Sequence, residues 1–126
     1  MNRIPLPAVP VIAAAAMVPW TIGIATLLPQ TATAHHWNTV WAGLDVAIIA
    51  GLASTSWLAR RHDRRAALAA VATTTLMCAD AWFDLCTSGA GIPFGAACLE
   101  AAAELAVAAT CLTVGLNKET LSPAAA

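Results

Sequence analysis

Apolar residues fall along this chain in long unbroken blocks, not in the one-sided stripes of a soluble helix. Four such blocks cover residues 10–29, 39–59, 66–86 and 94–116, with short polar stretches between them. Each is about 20 residues long, which as helix spans roughly 30 Å, one hydrocarbon thickness. The pattern predicts an all-α fold, a four-helix transmembrane bundle, with residues 1–126 forming a single integral membrane domain. Pro10 suits a first helical turn, Pro29 marks an exit, and Pro19 between them should kink the first helix. Ser88, Gly89, Gly91 and Pro93 predict a tight turn between the third and fourth spans. The tail from Asn117 to Ala126 is polar, then Ala-rich, and is expected to fray.

Composition agrees with this pattern. Hydrophobic residues make up 60% of the chain and charged residues only 10%, where a soluble domain carries about a quarter charged. A net charge of -1 gives no case for a nucleic-acid partner. No phosphate-cradling glycine loop, H-E-x-x-H or C-x-x-C motif is present, so the sequence implies no cofactor. The expected partners are the lipid bilayer itself and, within it, a small cation, a proton or a lipid-soluble small molecule. Small residues along all four spans allow close helix approach, including approach to a second copy or a larger membrane complex.

The basic residues set the expected orientation. Arg3, the run Arg60, Arg61, Arg64 and Arg65, and Lys118 all fall on one side of the predicted bundle. The two opposite loops, 30–38 and 87–93, contain no Lys or Arg. The positive-inside rule therefore expects a multi-pass membrane protein with both termini in the cytoplasm. Trp37 and Trp41 near the outer interface and Trp57 near the inner one fit an aromatic belt. The Arg60–Arg65 run serves as a topology anchor, with anionic lipid contact as a secondary role. A competing view makes residues 1–34 a signal peptide cleaved after Ala32-Thr33-Ala34, leaving His35 as a metal-binding N-terminus beside His36. The apolar run is longer than a usual signal core and carries a central proline, which favours a retained span.

The candidate chemistry lies in carboxylates where a bilayer disfavours them. Five of the seven acids fall inside predicted spans: Asp45, Asp80, Asp84, Glu100 and Glu104. Each costs on the order of 2.5–3.5 kcal/mol at a helix centre. Asp80 and Asp84 are i, i+4 neighbours and share a helix face, as do Glu100 and Glu104. At ~1.5 Å per residue, Asp45, Asp80 and Glu100 reach one depth in the outer half of the bilayer, with Glu104 deeper. All five are expected to face the bundle interior or a wet cavity. Asn38 lies i, i+7 from Asp45, and His35 and His36 sit just above the cluster. No Lys or Arg lies within a span, so buried carboxylates must be neutral, share protons or hold a cation.

Three roles fit these acids. They can be protonated interhelical hydrogen-bonding groups. They can bind a proton, metal ion or organic cation, with Asp45, Asp80, Asp84, Glu100, Glu104 and Asn38 as ligands. Or Asp45, Asp80 and Glu104 can act as general-acid and cation-stabilising groups on a lipid-soluble substrate. Paired i, i+4 acids differ from the Glu-x-x-His pairs of di-iron bundles. Cys78 and Cys111 read as packing residues, while Cys86 and Cys98 flank the outer turn at similar depth and could bridge. His35 and His36 are candidate metal ligands, though an interfacial polar pair is the commoner role.

Trp41-Ala42-Gly43-Leu44-Asp45 and Asp80-Ala81-Trp82-Phe83-Asp84 resemble the W-x-G-x-D and D-A-W-F-D segments of a group of small four-span actinobacterial membrane proteins. The likeness covers nearly the whole chain and implies that Asp45, Asp80, Asp84 and Glu104 are motif positions, without implying an activity. Glu104 is followed by Leu105-Ala106, where that group has Leu-Pro. Small multidrug transporters share the four-span size but carry their key Glu in the first span, which here has no acid. Membrane terpene cyclases share buried acids and a lipidic substrate but are longer.

Reporter fusions after Leu116 and within 60–65 are expected to report cytoplasm, and fusions at His36 and Gly89 the outside. A C-terminus found outside would overturn this orientation.

Overall fold

The computed structural model describes residues 15, 16, 18–20, 22, 23, 26, 27, 31 and 33–117. The chain divides into two compact units, Met1–His35 and His36–Ala126. In the first unit, the described residues between 15 and 27 are helical, and Thr26 Oγ1 donates to the carbonyl oxygens of Ile22 at 2.9 Å and Gly23 at 3.3 Å. The limits expected for the first span, Pro10 and Pro29, lie outside the described residues, as does the tail beyond Asn117.

The second unit is three helices: α1 (Trp37–Arg60), α2 (Arg65–Thr87) and α3 (Ile92–Gly115). They correspond to the second, third and fourth expected spans. All three are long and apolar enough to cross a membrane. No strand occurs among the described residues. Helices are the expected outcome in lipid, where every backbone polar group must find its partner within the segment.

The helix ends explain where the chain turns. His36, in the left-handed region at φ 58, precedes α1, and its carbonyl accepts from Thr39 N and Val40 N. Trp37 and Trp41 then meet edge to face, with ring centroids 5.4 Å apart. At the other end His62 N donates to Ala59 O and Asp63 N to Leu58 O, with His62 left-handed at φ 53. That pair of bonds is a Schellman stop with histidine where glycine is usual. Asp63 then opens α2: its Oδ1 accepts from Arg65 N at 2.9 Å, and its carboxylate pairs with the Arg65 guanidinium at 2.7 Å. The hydrogen bond from Arg65 holds the Asp63 carboxyl at about 2, well below its ordinary value. Arg61 lies over the Trp57 ring at 4.1 Å. Between α2 and α3 the turn depends on Gly91, whose φ of 83 suits only glycine, and Pro93 begins the next helix.

α2 is the central helix and packs against both neighbours. Its buried positions Ala66, Ala70, Thr73, Met77, Asp80 and Ala81 follow helical spacing, as do Ala97, Ala101, Ala108, Cys111 and Gly115 on α3. Two glycines set the approach. A Cβ on Gly51 of α1 would collide with the side chain of Thr73, and one on Gly115 would collide with Ala70 and sit 2.9 Å from Ala66 O. Thr73 is fully buried and donates to Ala69 O at 2.8 Å, so it has no room to move aside. Thr74 Oγ1 donates across to Ala108 O at 3.2 Å. Beyond this level, Ile48, Met77 and Ala108 form an apolar cluster, flanked by Leu44, Leu52 and Leu76.

Gly51→Ala and Gly115→Ala are expected to destabilise the fold by about 1–3 kcal/mol each, the usual cost of overpacking. Gly43→Ala, whose Cβ would meet open space, is expected to be neutral or to stabilise by up to about 1 kcal/mol. Thermal unfolding in detergent would check the contrast, and equal effects at all three positions would contradict the close-contact assignment.

Candidate functional site

The antiparallel register fixed at Gly115 and Thr74 continues along α2 and α3 to the two acids nearest the core. Asp80 is 4% exposed, and Glu104 is half-buried on the facing helix. Their carboxyl groups lie within hydrogen-bonding reach of each other. Asp80 Oδ1 and Glu104 Oε2 are buried and meet no hydrogen-bond partner among the described residues. Two ionised carboxylates only repel at this distance. A proton on one of them, or a cation between them, makes the contact attractive.

The remaining acids surround this pair at graded exposure. Asp84 is half-buried and close enough to act electrostatically on both Asp80 and Glu104. Asp45 does so on Asp80, and Glu100 on Glu104. All five acids thus come from three helices to one neighbourhood. Of the five, Asp80 is buried, Asp84 and Glu104 are half-buried, and Asp45 and Glu100 are exposed. Both lie roughly 60° of helix rotation from the centre of their packing stripe, at about 100° per residue. Asn38 is also exposed, near the start of α1, and so adds no buried ligand.

His35 and His36 are exposed in the turn before α1. Among the described residues no three His, Cys, Asp or Glu side chains group so as to hold a metal ion. Cys78, Cys86 and Cys98 are exposed free thiols and Cys111 a buried one, so Cys86 and Cys98 are not bridged.

Several residues that shape the site carry no acidic signal in the sequence. Gly115 sets the close approach of α2 and α3, the two helices that carry Asp80 and Glu104, and Gly51 sets that of α1 to α2. Ile48, Met77 and Ala108, each within about one helical turn of an acid and on the side toward the basic turn, pack together as an apolar cluster. The small-residue content of the spans points to close packing in general, but which glycine makes the contact depends on helix register. Comparison with family models, with curated proteins and with solved structures gave no match.

A thiol-blocking reagent is expected to label Cys86 without prior reduction and Cys111 only after unfolding. Protection of Cys86 that reductant relieves would instead show a bridge.

Proposed function

We propose that this multi-pass membrane protein handles a proton or a small cation at the Asp80–Glu104 pair. The observation that carries the proposal is the meeting of two carboxyl groups between α2 and α3, with a buried unpartnered oxygen on each. Intramembrane acids of this kind are costly and serve ion or proton pathways by default. Two carboxyls without a third ligand suit a single proton or one weakly coordinated cation better than a dedicated metal cage. Asp84, Asp45 and Glu100 add negative potential around the pair, which attracts cations and supports sharing of protons. In this reading the bundle lies in the bacterial inner membrane with the basic turn in the cytoplasm, so the acids occupy the outer half. The apolar layer of Ile48, Met77 and Ala108 then restricts access from the cytoplasmic side.

Neutral amides test the reading because they keep shape and hydrogen bonding but cannot hold charge. Asp80→Asn and Glu104→Gln are each expected to lower proton or cation binding by at least about tenfold, equivalent to ~1.4 kcal/mol, while the protein stays folded. Asp45→Asn, at the exposed rim, should have a smaller effect. Binding and proton uptake in nanodiscs, with thermal stability measured alongside, would check this. Amide variants that bind and titrate like the wild type would reject the proposal and leave the acids as interhelical hydrogen-bonding groups.

A further inference from the structure

A second feature lies toward the other end of the bundle, away from the acids. α1 and α3 leave between them an open groove of about 320 Å³, with Leu52, Val107 and Val114 among its apolar walls and Thr55, Ser56 and Thr110 as its hydroxyls. That volume falls at the lower end of the range for small-molecule sites, roughly 300–1,000 Å³. Thr55 and Thr110 donate to carbonyls of their own helices, Gly51 O and Ala106 O, at 2.9 Å each. Ser56 has no such bond among the described residues. The groove therefore offers an apolar slot with one free hydroxyl, at Ser56.

The charge at that end is selective. Asp63 is committed to Arg65 through side-chain bonds of 2.7 and 3.1 Å. Arg61 is stacked on Trp57 at 4.1 Å. Arg60, Arg61 and Arg64 have no ion-pair partner among the described residues. Arg60 is i+4 from Ser56, so helical register sets it one turn beyond the hydroxyl on the same face of α1. An apolar slot, then a hydroxyl, then unneutralised arginine is the order of a lipid's acyl chain, glycerol ester and phosphate.

We infer that the α1–α3 groove is a binding site for one anionic phospholipid, with an acyl chain along Leu52, Val107 and Val114 and its phosphate at Arg60. Arg61 and Arg64 add attraction at the same membrane surface, and a zwitterionic lipid gains less because its cationic group opposes them. The groove shares no lining residue with the acid pair, so it is a separate site.

Native mass spectrometry of the full purified chain, offered phosphatidylglycerol and phosphatidylcholine with identical acyl chains, tests the site. The wild type should retain one phosphatidylglycerol at least about fivefold better than phosphatidylcholine, the factor expected for one arginine at an anionic surface. Arg60→Gln, a surface change that leaves the helices intact, should remove most of that preference. Val107→Trp should fill the groove and abolish retention with every arginine in place, and circular dichroism would confirm that both variants fold. Equal retention of the two lipids overturns the inference. So does a folded Val107→Trp variant that retains phosphatidylglycerol normally, because the attraction would then be a diffuse property of the basic surface.

Discussion

The close approach of α2 to its two neighbours is the constraint on which the rest of the bundle depends. Gly51 lies against Thr73, and Gly115 against Ala66 and Ala70, where even one added methyl group would collide. In lipid, no water is released when apolar helices meet, so their association relies on dense packing and on a few interhelical hydrogen bonds. Small residues at the contact let backbones approach. Thr74 can then reach Ala108 O across the seam. The same register places Asp80 opposite Glu104 farther along.

The carboxyl pair follows from that packing and also strains it. Buried acids without a base cost the bundle unless a proton or cation is present. Because the pair is formed by two helices, the proposed proton or cation between Asp80 and Glu104 would also hold α2 to α3. The groove near the basic turn shares no lining residue with this polar region. The three-helix unit is thus chemically asymmetric along its length, with acids toward one end and unneutralised arginines at the other.

Much of the architecture was legible in the sequence because the bilayer imposes a simple length rule on apolar segments. Spans expected at 39–59, 66–86 and 94–116 correspond to helices Trp37–Arg60, Arg65–Thr87 and Ile92–Gly115, with differences of a residue or two at the ends. The Gly91-Pro93 turn is equally local, since a positive φ and a helix-starting proline are properties of the residues themselves. The first span lies largely outside the described residues. Cys86 and Cys98 show where local reasoning stops: sequence placed them at one depth, and helix rotation turned them outward as free thiols.

The acids divide along the same line. Sequence alone determined that five carboxylates lie within apolar helices, that they repeat at i, i+4, and that no base accompanies them in the spans. Depth follows from counting residues along a helix of known rise. Which acids meet was decided only by tertiary structure, because facing depends on the rotation and crossing of each helix about contacts such as Gly51 with Thr73. That rotation buried Asp80, brought Glu104 to it, left Asp84 half-covered, and turned Asp45 and Glu100 to the exposed rim. The groove between α1 and α3 is likewise invisible in either helix alone, since it is space left where two surfaces do not fill each other.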